Sequence, residues 1–210
     1  MIRVLVADDH ALVRAGLKHI LGRTGEISVI GEACNGQEIM AEVRRTPCDV
    51  VLLDIGMPGR SGLDVLKQLR AEHPNLPVLI LTMYPEEQYA VRALRAGAAG
   101  YLVKDSGPEE LVSAVQKVAS GGRYVSMRAA ESLAFEVQGR ARQSPHETLS
   151  DRELQVLCLI ARGKTVKEIA EEFRLSPKTV STYRSRVLGK LNLRNNSEMA
   201  YYAVKEGLVD

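Results

Sequence analysis

Residues 49–62 read DVVLLDIGMPGRSG: four valine and leucine side chains in a row, residues 50–53, end on Asp54 and run into a turn carrying Gly56, Pro58 and Gly59. An unbroken apolar run of that length, bounded by turn residues, suits a strand buried on both faces, as in a parallel sheet covered by helices. Outward from it, the same form recurs at residues 3–7, 29–33, 78–82 and 100–103, each run followed by an amphipathic helical stretch. Gly97 follows the fourth helix, Pro108 opens the fifth and Gly121-Gly122 closes it, which is the punctuation helix ends require. Residues 1–121 are therefore expected to form one α/β domain with a doubly wound, five-stranded parallel sheet.

In such a sheet the C-terminal ends of the strands converge on one crevice, where ligands bind. Asp8 and Asp9 end the first strand, Asp54 the third and Thr82 the fourth, and Lys104 stands just past the fifth. Taken singly, a strand-end Asp or Thr is a helix cap and a lone Lys is solvated. Their joint placement points instead to chemistry. Three carboxylates need a cation, and hard oxygen ligands suit Mg2+. Asp54 is the expected nucleophile toward a phosphoryl group, with Asp8, Asp9 and Asp54 itself at the metal and the Gly56 carbonyl as a further ligand. Lys104 and Thr82 are expected to meet the phosphoryl oxygens. His10 reads as a first-turn helix residue.

Beyond residue 121 the pattern changes. Residues 122–147 read as a linker with a short helix over 128–137 and a polar stretch over 139–146. Residues 148–210 read as four helices, at 151–162, 166–173, 177–191 and 197–206, with Ser150/Glu153 and Thr165/Glu168 at capping-box spacing. Charge divides with them. Residues 1–122 carry 13 Lys and Arg against 15 Asp and Glu, and residues 123–210 carry 15 against 11, so an anionic partner is expected for the C-terminal half. In helix 177–191, Val180, Tyr183, Val187, Leu188 and Leu191 form an inward face. Lys178, Ser181, Thr182, Ser185 and Gly189 lie opposite, flanked by Arg184, Arg186 and Lys190. Short polar side chains let a helix approach the major-groove floor while flanking bases reach phosphates, so a helix-turn-helix domain binding double-stranded DNA is expected. Met199, Tyr202 and Val204 of the last helix are the expected contact between two such domains.

No apolar stretch approaches 18 residues and no cleavable signal pattern opens the chain, so a cytoplasmic protein with no membrane partner is expected. Cys34, Cys48 and Cys158 lack the spacing of a zinc site or a disulfide framework and read as structural thiols.

Over residues 1–121 the chain resembles the receiver domain of bacterial two-component response regulators. The resemblance rests on Asp8-Asp9, on Asp54 with Met57-Pro58-Gly59 and Gly62, on Thr82, and on Gly100 through Lys104. It implies a flavodoxin-like fold in which a sensor histidine kinase phosphorylates Asp54 and the pair Thr82 and Tyr101 converts phosphorylation into a surface change. Four positions depart from the common family pattern or tune it. Asp105 replaces a frequent proline, Met83 replaces a small residue and is expected to narrow phosphate access, and Gly56 and Tyr84 occupy positions that set phosphoryl lifetime.

Residues 148–210 resemble the LuxR-type DNA-binding domain of the NarL/FixJ group, through Leu149 to Glu153, Gly163, Glu168-Ile169-Ala170 and Ser176 to Val180. By that resemblance Ser181, Thr182 and Ser185 face base edges, and Lys178, Thr179, Arg186 and Lys190 hold the backbone. The expected product is a phosphorylation-controlled transcriptional regulator, not an enzyme, homodimeric when active, with RNA polymerase a candidate further partner. Two readings of other kinds compete. An aspartate-nucleophile phosphohydrolase needs a general acid near the leaving group, and Gly56 stands where a second Asp would serve. A receiver acting only as a constitutive dimerisation module would bind DNA without phosphorylation.

Overall fold

The computed structural model describes residues 1–127, 129–131 and 144–209. By compactness the chain divides into two units, Met1–Gln138 and Gly139–Asp210.

In the first unit, β1 (Ile2–Ala7), β2 (Ile27–Ala33), β3 (Val50–Leu53), β4 (Val78–Thr82) and β5 (Gly100–Val103) form one sheet in the order β2-β1-β3-β4-β5, every pair parallel. That order reverses between β1 and β3, the switch point where a crevice opens. All of β3 and β4 is buried, as the unbroken apolar runs require. Helices α1 (Ala11–Gly22), α2 (Gly36–Arg45), α3 (Gly62–Glu72), α4 (Glu86–Arg95) and α5 (Pro108–Ala119) alternate with the strands. β2 begins two residues before the expected start, because Ile27 is buried and pairs with Ile2. A register shift follows between Val4 and Leu5, and a Cβ on Gly31 would lie 2.5 Å from Leu5 Cδ2.

Within the expected linker, the edge beyond β5 carries one further pairing. Gly100 bridges Tyr124 in parallel, the Tyr124 amide donates to Ala99 O at 2.9 Å, and the Tyr101 amide donates to Tyr124 O at 3.1 Å. A Cβ on Gly100 would lie 2.5 Å from Tyr124 O, so the approach depends on glycine. Of the expected helix over 128–137, residues 129–131 are helical; the rest lies outside the described residues, as does most of the polar stretch over 139–146.

The second unit holds a 3-10 turn (Pro145–Thr148) and the four helices α6 (Asp151–Ala161), α7 (Val166–Phe173), α8 (Pro177–Leu191) and α9 (Asn196–Lys205). Ser150 and Thr165 close capping boxes, and Ser176 and Asn195 cap the next two helices. Leu154, Leu157, Ile169, Phe173, Val180, Val187, Met199 and Ala203 are fully buried. α7 ends on Arg174 in the left-handed conformation (φ 50°), and the Leu175 amide returns to Ala170 O at 2.8 Å, making the tight turn into α8. Among the described residues no helix is long and apolar enough to cross a membrane.

Candidate functional site

Parallel register sets the strand ends level: Ala7 pairs with Leu53, and Thr82 with Val103. The residues that follow therefore meet in one place. Lys104 Nζ stands 2.5 Å from Asp54 Oδ2 and 2.6 Å from Asp8 Oδ2. Burial opposes its charge, but Asp54 first and Asp8 second outweigh that cost and hold it firmly as ammonium. The other Asp54 oxygen accepts from Thr82 Oγ1 at 2.7 Å and from the Gly56 amide at 2.8 Å. A Cβ on Gly62 would overlap Ile55 and lie 2.5 Å from Asp54 O, so that glycine lets α3 close against the loop after β3.

Asp8 and Asp54 are thus fully engaged, and Asp9 differs. Its Oδ1 is buried yet accepts no hydrogen bond. His10 Nδ1 stands 3.1 Å from that oxygen and 3.3 Å from Asp8 Oδ1. His10 is not a first-turn residue: it is the N-cap of α1, makes no side-chain cap, and turns its ring to the acids. Asp8, Asp9, His10 and Asp54 each offer a ligand atom within 4.8 Å of the others. An undonated, buried carboxylate oxygen beside oxygen ligands fits a hard divalent cation such as Mg2+.

Arg14 supports this arrangement and had no signal in the sequence beyond lying one turn into α1. Its Nη1 donates to Asp8 O at 2.7 Å and its Nε to Glu32 Oε2 at 3.0 Å. Tyr101 is buried, with its hydroxyl donating to Tyr84 O at 2.9 Å. Met83 is 65% exposed, its side chain in solvent rather than in the core.

On α8, Lys178, Ser181, Thr182, Ser185 and Arg186 are exposed along one side, opposite buried Val180 and Val187. Thr179 Oγ1 lies 2.8 Å from Ser176 Oγ at the cap, and Thr182 Oγ1 donates to Lys178 O. The structure does not bring Lys190 to this group. Its ammonium lies 2.6 Å from Glu153 Oε2 and 3.1 Å from Thr148 O, because the buried Glu153 carboxylate of the capping box needs a cation. Arg184 is likewise tied to Asn196 Oδ1 at 2.6 Å.

The expected face of α9 also needs correction. Met199 is fully buried, since it shares the inward side of the helix with Ala203. Tyr202 accepts from the His146 amide at 3.2 Å, and the exposed large apolar residues are Tyr201 and Val204.

Residues 4–116 match the family model of the response regulator receiver domain, and residues 147–203 match that of the bacterial regulatory proteins of the luxR family. The response regulator UvrY of Escherichia coli K12 is 40% identical over 209 residues, spanning 99% of this chain and 96% of its own. The response regulator GacA of Pseudomonas viridiflava is 41% identical over 211 residues, spanning 100% and 99%. Among solved structures, the response regulator ChrA of a heme-sensing two-component system is 35% identical, spans 99% of this chain and 98% of its own, and superposes with a TM-score of 0.52.

Proposed function

The chain belongs to the response regulators that join a receiver domain to a luxR-type DNA-binding domain, and from that premise we propose how its own residues run the switch. The observation that carries the proposal is the convergence of Thr82, Lys104 and the Gly56 amide on the two oxygens of Asp54. The protein is a phosphoacceptor regulator, not an enzyme acting on a separate substrate.

A sensor histidine kinase is the phosphoryl donor, and an Asp54 oxygen attacks phosphorus as the donor's leaving group departs in line. Lys104 and the Thr82 hydroxyl, both already on Asp54, pass to the incoming phosphoryl oxygens. Asp8, Asp9, Asp54 and the Gly56 carbonyl would hold Mg2+, which when bound would supply charge neutralisation for those oxygens. Thr82 and Tyr101 then carry the change to the surface of the receiver domain, residues 1–121, and on through the linker, residues 122–147. In the domain formed by residues 148–210, Ser181, Thr182 and Ser185 face base edges, while Lys178, Thr179 and Arg186 hold the backbone. Short hydroxyl side chains discriminate weakly, so DNA shape and water contribute to specificity. The active form is a cytoplasmic homodimer that places two recognition helices on adjacent half-sites, with RNA polymerase its further partner. Moving such a switch from mostly off to mostly on takes about 5 kcal/mol of differential stabilisation.

The test is DNA affinity and oligomeric mass, with and without acetyl phosphate and Mg2+, on a duplex selected in vitro, for wild type and Asp54→Asn. A donor-dependent gain that the variant loses supports the switch. Equal, tight binding throughout favours a constitutively dimeric receiver and overturns it.

A further inference from the structure

The chain leaving the receiver sheet does not begin as slack. Tyr124 is stitched to both sides of Gly100: its amide to Ala99 O at 2.9 Å and its carbonyl to the amide of Tyr101 at 3.1 Å. Its side chain adds a second attachment. The hydroxyl donates to Glu110 Oε1 of α5 at 2.8 Å, and Lys117 Nζ of the same helix lies 5.7 Å from the ring centroid. Burial and the Glu110 carboxylate push the Tyr124 phenol up to about 12, so it stays a donor at any physiological pH.

The partner of that carbonyl is Tyr101, whose hydroxyl holds the backbone two residues past Thr82. Asp54 Oδ1 is bonded to Thr82, Thr82 O accepts the amide of Lys104 just past β5 at 2.8 Å, and Tyr101 on β5 bonds Tyr84 O two residues past Thr82. After Tyr124 only Val125 intervenes before Ser126. The Ser126 hydroxyl and carbonyl accept the Ala129 and Ala130 amides at 3.1 and 3.0 Å, which start a helix. One residue of chain cannot absorb a displacement, so a shift of β5 at Tyr101 moves the start of that helix.

We propose that Tyr124 is the coupling residue of the switch: it receives the movement of Tyr101 through their shared hydrogen bond and passes it to the segment leading to the DNA-binding unit. This rests on the phosphorylation-switch reading above. Tyr124 is a positioning residue, since it touches no reacting atom.

Two variants test it in the full-length chain, each with acetyl phosphate and Mg2+. A Gly-Gly insertion between Val125 and Ser126 leaves Tyr124 anchored and adds slack after it; Tyr124→Phe removes the Glu110 bond. Three quantities are read: phosphate incorporation at Asp54, hydrogen exchange of the Tyr101 and Tyr124 amides, and the ratio of DNA affinity with and without donor. If wild type gains roughly tenfold on phosphorylation, within the usual range of coupling, the insertion variant should incorporate phosphate at the wild-type rate and protect both amides. Its gain should nevertheless fall below about twofold. Tyr124→Phe should speed exchange of the Tyr101 amide and lower the gain. A full gain in the insertion variant, or faster exchange in Tyr124→Phe with the gain intact, overturns the coupling role while leaving the switch standing. Absence of any gain in wild type overturns the switch reading itself.

Discussion

Lys190 Nζ, on α8, lies 2.6 Å from Glu153 Oε2, inside its own domain. Glu153 is almost wholly buried whereas Lys190 is 40% exposed, so the pair joins α8 to the capping box that starts α6. Solvent screens the lysine end, which keeps the expected loss on Lys190→Ala to about 1–2 kcal/mol of stability. Urea unfolding of the full-length chain measures it. The slope of log affinity against log salt should stay at the wild-type value; a drop of about 0.9 would mean that Lys190 neutralises a DNA phosphate after all.

The same carboxylate makes the fold sensitive to acid. Burial alone would raise the Glu153 pKa, but the Lys190 ammonium and the Ser150 amide outweigh it and hold the group below its ordinary 4.5. A carboxyl depressed in the folded state contributes stability that is fully present above 4.5 and is lost as pH falls through the depressed value. Glu153→Gln should therefore be less stable at pH 7 and show a flatter decline of melting temperature between neutrality and acid. Parallel curves for the two proteins would refute the assignment.

What the sequence disclosed follows a physical division. Fully buried strands such as Val50–Leu53 leave an unbroken apolar signature, and residues just past a strand end inherit their position from it, so Asp8, Asp9, Asp54, Thr82 and Lys104 were legible. Partnerships across the fold leave no such trace. Lys190 reads as one more base on a basic helix until Glu153 is seen beneath it. Met199 and Tyr201 sit two residues apart with similar hydrophobicity, and only the packing of α9 sends one inward and the other into solvent. Tyr124 was lost because a single bridging residue is too short to carry a strand's period.

Arg174 occupies the left-handed region with φ 50° and ψ 44°, where a side chain is strained and glycine is not. Arg174→Gly should stabilise the helix-turn-helix by roughly 0.5–1 kcal/mol, since relief of strain exceeds the added freedom of the unfolded chain. The check is a rise in urea midpoint at unchanged slope. An unchanged or lower midpoint would mean that the arginine side chain contributes contacts worth more than the strain.

Arg14 fixes the loop between β1 and α1 from one side while the Asp8 amide, bonded to Ala33 O at 3.0 Å, fixes it from the other. Because the guanidinium forks between Asp8 O and Glu32, it sets where the acids point without touching the phosphoacceptor. Outer-shell supports of this kind are worth about 10- to 100-fold in metal affinity. Arg14→Ala should therefore weaken Mg2+ binding by at least about tenfold in titration calorimetry. Arg14→Lys should restore little, because an ammonium cannot serve both acceptors in the fork geometry. Asp54→Asn removes a proposed ligand outright and gives the scale of full loss. If Arg14→Ala binds Mg2+ as wild type does, the loop is held by its backbone alone and Arg14 is only a tie between α1 and β2.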